Sequence, residues 1–595
     1  MPAPQPIRDG FTVLPGGMQG GFHPTMLDAS QYARGINVSC RGGMVHTRPG
    51  FVQVADHFTT NRPFQGACRW TVNGEELVVS CFNGTLFFYN TVTGAKSSTV
   101  GQLKPNRQVF MAQADRYLLV SDGEQLSVFA PGPLVVYTTL IYRNDRLPPC
   151  TVMHYAHGRV HLVPTRVGSE PSQSRYFVSG DFCMPSDPAT VYNFTEATYL
   201  NGGGAFGLPD ELGAIRGLAS LRNSAQGTGV GALVVLAEDG LAAFDVSRPR
   251  AGIRDENLNL VVPGWNDQPI GQVLFYGAGT RSPWSVTNIN SDLVYRGLDG
   301  IRFLQYAQSQ ASNGSASGSL SNQPQSFEVE PFITMDPGSA LPWVSAAYAG
   351  SRMHMTAGVD QDGRTFRGIL SLDAAVAQTL GGKSPPAYDG LWTGLPVGKV
   401  LVLPYDGKHA LFVVTSDARI FRLDESAYTD HGNTPIESQL ETRSMFIDPQ
   451  LRMVPKTLDY VDLWVSGLRH DTVVEAYFRP DSHPLWCPMT VNRTLTVPAG
   501  GYPQERRQLR FNVVDDLTSC TDRPGLNSAS LRNGLTFQIR LVIRGYAIIE
   551  RMDVIATPRE MSLPEVSADE PAAKVRALTA GVDGVASNDF SYSIP

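Results

Sequence analysis

The chain has 595 residues, a formal net charge of −7 at pH 7, 42% apolar residues and 9% aromatic residues. This length predicts two to four domains, and the apolar content excludes a chain that is disordered throughout. The negative charge argues against a protein that holds a phosphate backbone without regard to sequence, because such proteins need a basic stripe. Fifty-eight glycines and 42 prolines, with few long helical patterns, favour an all-β protein.

The N-terminus, MPAPQPIRDGF, has no apolar run typical of a signal peptide, and no window of 18 apolar residues occurs. We therefore expect neither a secretion signal nor a membrane span. Seven cysteines without paired spacing predict reduced thiols in a protein made in a cytoplasm. In one predicted hairpin, pairing of Val72 with Glu75 places Cys68 opposite Val79 and Cys81 diagonal to it, which is a poor disulfide geometry.

The first predicted element is a hairpin in the stretch INVSCRGGMVHTRPGF, residues 36–51. Residues 36–40 and 44–48 alternate as two strands joined by Arg41-Gly42-Gly43, where glycine can adopt positive φ. Arg48-Pro49-Gly50-Phe51 fits a type II turn, with proline second and glycine third. Backbone geometry thus accounts for the glycines and the proline, whereas a hairpin needs neither arginine.

A short unit then recurs, in which an apolar run, a turn of Asn/Asp-Gly type and a second apolar run follow one another. The copies are LVVSCFNGTLFFY (77–89), YLLVSDGEQLSVF (117–129), LVVLAEDGLAAF (233–244), LVYRGLDGIRFL (293–304) and LFVVTSDARIFRL (411–423), with weaker copies YAHGRVHLV (155–163) and VDQDGRTFRGIL (359–370). Asn-Gly and Asp-Gly favour tight hairpins because their backbones accept positive φ. Hairpins at this spacing predict a β-propeller of six or seven blades over residues 61–426. The structural alternatives are an open stack of hairpins or several β-sandwiches.

Three further segments complete the predicted organisation. Residues 307–326 carry no charge and are rich in Ser, Gln, Gly and Asn, which predicts a flexible loop inserted in the propeller. Residues 437–556 contain strands with partial two-residue alternation and predict a separate antiparallel β-sandwich. Residues 557–595 are polar and predict an extended tail, and residues 1–60 predict an N-terminal hairpin segment.

Two motifs resemble metal sites but are better explained as hairpins. His154, His157 and His161 have the spacing HxxHxxxH, yet a glycine turn between apolar runs interrupts them, so their rings do not converge by default. The stretch DQDG at 360–363 begins like a calcium loop, but Arg364 and Ser371 stand where the fifth and twelfth ligands would be acidic. We predict no metal and no cofactor.

Other patterns also favour structural roles. The turn acids, Asp122, Asp239, Asp299 and Asp417, have a local hydrogen-bonding reason to occupy turns, so a polysaccharide hydrolase is only an alternative. No phosphate-binding loop and no Gly-x-Ser-x-Gly elbow occurs, and we predict no catalytic residue. The basic cluster Arg506, Arg507 and Arg510 is interpreted as a solvated strand face, and Trp464, Tyr477 and Trp486 as sandwich core.

The stretch QYARGINVSCRGGMVHTRPGF resembles the N-terminal signature of short-tailed bacteriophage tail nozzle, tail hub or packaged-DNA stabilisation proteins, in which a run ending in Asn precedes an Arg-Gly hairpin and Arg-Pro-Gly. GRVHLVPTRV with SRYFVSGDFCMPSDPATVYNF resembles a blade of that family that ends in a Ser-x-Asp loop. SDLVYRGLDGIRFL and GLTFQIRLVIRGYAIIERMDVIA resemble its Asp-Gly-Ile strand and its C-terminal sandwich hairpin. The resemblance touches both ends and the middle of the chain.

The resemblance implies a virion structural protein with a β-propeller and attached β domains, assembled in the bacterial host cytoplasm and not an enzyme. Six copies would form a ring below the portal and adaptor proteins that guides or retains DNA during ejection and docks tail fibres. Arg41, Arg48, Pro49 and Gly50 are then candidate assembly contacts. The alternative from another class is a receptor- or glycan-binding β-propeller that acts alone.

Overall fold

The computed structural model describes residues 5–58, 63–99, 103–131, 139–143, 148–167, 170–171, 174–180, 183–184, 189–192, 204–221, 231–248, 250–265, 267, 270–289, 292–304, 324–374, 386–469, 471–481, 483–490, 493–496, 505–513 and 532–559. The chain divides into two compact units. The propeller unit comprises residues 51–370 and 393–424. The terminal unit comprises residues 1–50, 371–392 and 425–595.

Short strands dominate the N-terminal region. They are β1 (Ile7–Phe11), β2 (Gly17–Met18), β3 (Gln31–Ile36), β4 (Val38–Ser39), β5 (Val45–Thr47) and β6 (Gly50–Ala55). A 3₁₀ turn, Pro24–Met26, precedes β3. The hairpin of β4 and β5 is confirmed, with Val38 opposite Thr47, and both loop glycines have positive φ, +81° at Gly42 and +84° at Gly43.

Five separate antiparallel sheets follow in chain order. The first two contain β7 (Phe64–Val72), β8 (Glu75–Phe82), β9 (Thr85–Asn90) and β10 (Lys96–Ser98), then β11 (Phe110–Ala114), β12 (Tyr117–Ser121), β13 (Leu126–Ala130) and β14 (Thr139–Arg143). The third contains β15 (Cys150–Ala156), β16 (Arg159–Pro164), β19 (Tyr176–Ser179) and β20 (Gly204–Gly207), with the ribbon β17 (Arg166–Val167) and β18 (Glu170–Pro171) inserted.

The fourth sheet contains β21 (Ile215–Ser220), β22 (Leu233–Ala237), β23 (Gly240–Phe244) and β26 (Gly271–Tyr276), with the ribbon β24 (Ile253–Arg254) and β25 (Leu260–Val262) inserted. The fifth contains β27 (Thr287–Ile289), β28 (Asp292–Arg296) and β29 (Ile301–Phe303). The described helices of this unit are short: α1 (Ala189–Tyr192), α2 (Glu330–Ile333) and 3₁₀ turns at Asp210–Leu212, Phe327–Val329 and Leu341–Trp343.

These sheets form a β-propeller arrangement, as the hairpin repeats predict. The first strands of successive sheets contact one another, β7 with β11, β11 with β15 and β15 with β21. Apolar clusters fill the space between neighbouring sheets. Trp70 and Val79 of the first sheet, for example, pack with Leu118 and Phe129 of the second. Each hairpin thus buries both faces against its neighbours, which explains why its strands are continuous apolar runs.

Residues 346–424 continue the strand pattern. The strands are β30 (Ala346–Ala349), β31 (Arg352–Val359), β32 (Phe366–Asp373), β33 (Ala387–Tyr405), β34 (Lys408–Thr415) and β35 (Ile420–Asp424). They pair in the order β30-β31-β32-β33, then β33-β34-β35, and β6 pairs with β35. All seven predicted hairpins are present. The pairing of Cys68 with Val79 is also confirmed, and the six cysteines in the described residues are free thiols.

The remaining strands belong to the terminal unit. They are β36 (Thr429–Asp430), β37 (Thr434–Pro435), β38 (Glu437–Thr442), β39 (Lys456–Ser466), β40 (Thr472–Pro480), β41 (Cys487–Pro488), β42 (Arg493–Leu495), β43 (Arg507–Asn512), β44 (Asn533–Gly534), β45 (Phe537–Arg544) and β46 (Ile548–Pro558). One sheet joins β4, β5, β46, β39 and β43, with β1 along β46. In the other, β3, β38, β45 and β40 are neighbours. Short 3₁₀ turns lie at His431–Asn433 and Pro449–Leu451.

The division of the chain differs from the predicted one. Residues 1–50 are not a separate segment, because β1 and β5 pair with β46 and β3 pairs with β38. Most of the predicted loop, 305–323, and of the predicted tail, 560–595, lies outside the described residues. Across the described part of the chain, no helix is long and apolar enough to cross a membrane.

Candidate functional site

Arg41 lies at the start of the loop between β4 and β5 and forms a paired contact with Asp373. Its Nε donates to one carboxylate oxygen of Asp373 at 2.8 Å and its Nη2 to the other at 3.1 Å, while Nη1 lies 3.4 Å from Glu425. The Asp373 side chain is fully buried, and that of Arg41 is 28% exposed. These bonds to Asp373 outweigh the cost of partial burial and raise the pKa of Arg41. Arg41 therefore keeps only a minor part of its surface for a partner.

Arg48 is buried, contrary to its expected role as an assembly contact. Its side chain has no exposed surface and donates from Nη2 to Asp430 at 2.6 Å, from Nε to Asn37 at 2.9 Å and from Nη1 to the Pro49 carbonyl at 2.8 Å. A guanidinium out of water must have its donors satisfied, and these oxygens do so. Pro49 and Gly50 are buried as well. Three of the four predicted contact residues thus serve the interior of the terminal unit.

Gly50 is required for a different reason from the predicted one. It does not have the positive φ of a type II turn and instead begins strand β6. A Cβ at this position would lie 2.1 Å from the Thr429 carbonyl oxygen, and the Gly50 amide donates to the Ala427 carbonyl at 2.8 Å. The chain passes too close to its neighbour for any side chain. The expected type II turn is wrong, and close backbone approach explains the glycine.

Asn37 and Asp389 organise the hairpin; the sequence marked Asn37 only within the resembling signature and did not indicate Asp389. Asn37 has φ of +54°, which separates β3 from β4, and its side-chain oxygen accepts from Arg48. The buried Asp389 accepts from the Cys40 amide at 2.8 Å and from Ser371 at 3.1 Å. An Asn that ends an apolar run is a signal for positive φ. Asp389 offered no comparable signal, because Cys40, its partner in the hairpin, is 349 positions away in sequence.

The tip of this hairpin exposes apolar side chains. Met44 is 43% exposed and Val13 is 45% exposed. Val13 lies beside the tip, because a Cβ on Gly43 would be 3.8 Å from a Val13 methyl group and the Leu14 amide donates to the Gly43 carbonyl at 2.8 Å. The buried arginine contacts hold this tip in place. Val13 and Met44 are therefore better candidates for an assembly contact than Arg48.

An aromatic cluster surrounds Trp284 in the propeller unit. The ring centroid of Trp284 lies 6.4 Å from those of Phe64 and Phe110 and 5.8 Å from that of Trp343. The Lys399 amine lies 4.0 Å above the Trp284 ring. Burial lowers the pKa of Lys399 to about 7. Side chains of β7, β11 and β33 thus converge on one tryptophan.

Beside this cluster lies a cleft of about 670 Å³ within the propeller unit. Phe110, Pro283 and Pro342 contribute apolar surface to it, and three arginines contribute charge: Arg107, Arg216 and Arg281. Arg216 donates to Glu238 at 2.8 Å, and Arg281 lies 3.6 Å from the same carboxylate oxygen. Sequence reasoning missed this cleft, because its residues come from separate sheets and show no shared motif.

The histidines of the HxxHxxxH motif each bond to a hydroxyl or carbonyl group of the propeller unit. His154 bonds to Ser220 at 2.7 Å and His161 to Ser179 at 2.6 Å. His157, in the turn with φ of +52°, bonds to the Gly231 carbonyl at 2.9 Å. Burial lowers the pKa of His154 to about 4 and that of His161 to about 3. Within the described ranges, no group of three His, Cys, Asp or Glu side chains could hold a metal ion.

The calcium-like stretch is also a turn, since Asp362 accepts from the Thr365 amide at 2.8 Å. The basic cluster near β43 is paired: Arg506 with Glu550, Arg507 with Glu505 and Arg510 with Asp462. These contacts occupy each arginine with a carboxylate, as expected of a solvated strand face.

The aromatic residues expected in the sandwich core lie elsewhere. Trp464, Tyr477 and Trp486 are only half-buried. Two arginines, Arg479 and Arg540, stack over Trp486 at 4.4 and 4.1 Å. The core prediction for these side chains is wrong, because a tryptophan on a sheet face can be covered by guanidinium groups instead of other apolar residues.

No family model and no curated protein matches the chain. Among solved structures, the β-propeller domain of Cps50 (Swd1) from Myceliophteria thermophila is 12% identical, covers 62% of this chain and 99% of its own, and has a TM-score of 0.32. BBS1N in its complex with ARL6DN is 10% identical, covers 64% of this chain and 99% of its own, and has a TM-score of 0.36. Likenesses at this level carry no argument about what the chain does.

Proposed function

We propose that this chain is a structural protein of a short-tailed bacteriophage tail, a nozzle or hub that forms a ring below the portal and adaptor proteins. The observation that carries the proposal is the role of the resembling stretch 31–51. Its residues Asn37, Arg41 and Arg48 bond to Glu437, Asp373 and Asp430, more than 300 positions later in the chain. These contacts make the resembling stretch part of the framework of the terminal unit, which supports a structural role for it.

The proposal includes the number of propeller blades and the packing of the terminal sheets. We assign β30–β32 to a sixth blade and β33–β34–β35–β6 to a seventh. Pairing of β6 with β35 would close the ring with a strand from the start of the propeller, which removes an open sheet edge. The two sheets of the terminal unit would pack as a β-sandwich.

The acidic net charge supports a conduit made by several copies, in which a DNA channel would lie between subunits. Six copies at −7 each would carry −42. Acidic groups on a channel wall repel phosphates and let DNA slide past.

The experiment measures the oligomeric state of the purified full-length chain. Native mass spectrometry gives the mass of the assembly, and particle images show whether it is a ring. The proposal expects a closed ring, six copies by the resemblance, and it expects Met44→Asp and Val13→Asp to shift the protein to monomers without changing its melting temperature. Met453→Asp is the matched control, because Met453 is 80% exposed in the same unit. A wild-type protein that stays monomeric with portal and adaptor proteins present would refute the proposal.

A further inference from the structure

We propose that the cleft beside Trp284 is a binding site for a small organic anion, a ring-bearing molecule with one or more carboxylate or phosphate groups. The inference does not rest on the proposed tail function. Its volume of about 670 Å³ falls within the range of ligand sites in proteins, about 300–1,000 Å³. The cleft also combines the two surfaces that such a ligand needs, an apolar area and unsatisfied cationic donors.

The cationic donors come from an uneven pairing of charges. Arg216 and Arg281 both approach the same oxygen of Glu238, at 2.8 and 3.6 Å. One carboxylate cannot satisfy two guanidinium groups, so this corner of the cleft keeps a positive charge. Within the described residues, the terminal nitrogens of Arg281 have no hydrogen-bond acceptor, and its side chain is 48% exposed. A ligand carboxylate or phosphate would bind these nitrogens through two parallel bonds.

A second corner is balanced in charge. Arg107 lies 2.5 Å from Glu124, and Lys104 pairs with the other oxygen of the same carboxylate. Asp122 also lines this corner and accepts from the Lys104 amide, so two acids face two cations there. The excess positive charge that would attract an anion therefore lies at Arg216 and Arg281.

The apolar area of the cleft determines what the uncharged part of the ligand must be. Phe110, Pro283 and Pro342 line the cleft, and Phe110 belongs to the cluster around Trp284. Apolar side chains on the wall of a cleft favour a ligand that carries an apolar part, such as a sugar or base ring. An anion without a ring would use the arginines alone and bind more weakly.

The test is isothermal titration of the full-length chain at pH 7 and low salt with a galacturonic acid trimer, a nucleoside 5′-monophosphate and inorganic phosphate, and with a neutral glucose trimer as the reference. We expect at least one of the two ring-bearing anions to bind more tightly than inorganic phosphate, and the neutral trimer to give no signal. The tighter of the two identifies the source of the anionic group. Added salt should weaken binding.

Substitutions in the cleft test whether the ligand binds at these arginines. Arg281→Gln should weaken binding about tenfold or more, because it removes charged hydrogen bonds to the ligand. Glu238→Gln should tighten it, because it releases both arginines. Arg69→Gln and Glu76→Gln are the controls, since this pair has similar exposure in the same unit and does not line the cleft. Absence of binding by every anion, or binding that Arg281→Gln leaves unchanged, would overturn the proposal.

Discussion

Arg48 shows how a residue can be conspicuous in sequence for a reason that concerns the interior. Arg48→Ala leaves Asp430 and Asn37 without their partner in a buried place, and we expect a loss of about 3–5 kcal/mol in the free energy of unfolding of the terminal unit. Arg48→Lys should recover only part of this, because an ammonium group cannot reproduce the three-way contact of a guanidinium. Chemical denaturation followed by tryptophan fluorescence measures the change.

Arg41→Ala is the control for that experiment. Its side chain is partly exposed and its removal should cost less than the loss of Arg48. Equal losses for the two variants would contradict the importance of burial at Arg48.

The buried histidines predict a pH dependence of stability in the propeller unit. Burial holds the pKa of His154 near 4 and that of His161 near 3, below the ordinary value of 6.5. The unfolded chain therefore binds protons first as the pH falls below about 6.5, and the folded state loses stability from there down to the folded pKa values. Each histidine contributes a slope of up to about 1.4 kcal/mol per pH unit in that window.

The melting temperature of wild type and His161→Gln, measured between pH 7.5 and 5, checks this expectation. The variant should show a shallower fall because it lacks one of the two groups. Carboxylates contribute little above pH about 5, since their ordinary pKa values lie near 4. Identical slopes for the two proteins would mean that folding does not lower the pKa of His161.

At the scale of the element, the hairpin turn is the feature best predicted from sequence. Asn83 and Gly84 have φ of +47° and +80°, and Gly363 has φ of +73°. Ala418 takes φ of +65° at the position where the repeat has glycine elsewhere, so its Cβ is strained. We expect Ala418→Gly to stabilise the protein by about 1 kcal/mol, seen as a higher melting temperature.

Gly363→Ala is the reciprocal control. Its turn has open space around it, so an added methyl group meets nothing within 4 Å and only the positive φ is tested. This variant should lose about 1 kcal/mol. An unchanged melting temperature for both variants would show that these turns relax without cost.

The sequence predicts features that depend on residues close together in the chain better than features that depend on distant ones. Hairpins depend on turn residues and apolar runs that are adjacent in the chain, and all seven were predicted correctly. Gly50 was assigned a local cause, although its true constraint is the Thr429 carbonyl, and Arg48 was assigned to a partner surface, although Asp430 neutralises it. Contacts between residues that are far apart in the chain leave no periodic pattern in the sequence. The cleft around Arg216 and Arg281 was missed for the same reason.

At the scale of the molecule, the terminal unit is discontinuous. Its sheets need strands from both ends of the chain, since β1 pairs with β46 over Ile7 to Phe11 and β3 pairs with β38. The propeller unit, by contrast, is built mainly from hairpins that are contiguous in sequence. Local hairpins close short loops, whereas the terminal unit must bring together segments hundreds of residues apart. We therefore expect the terminal unit to form later in folding and to be the first to fail after truncation.

Deletion of residues 1–50 tests this expectation. It removes β1, β3, β4 and β5, so the edges of β46 and β38 lose their partners and Asp430 loses Arg48. Unpaired strand edges and the loss of the ion pair between Arg48 and Asp430 are both costly. Hydrogen exchange with mass spectrometry should then show loss of protection in residues 437–558 and retained protection in the sheets between 64 and 303.

Deletion of residues 560–595 is the control, and it should leave both regions protected because it removes no described strand. If 437–558 stayed protected without the first 50 residues, the C-terminal strands would fold on their own, as the separate sandwich domain predicted from the sequence would do.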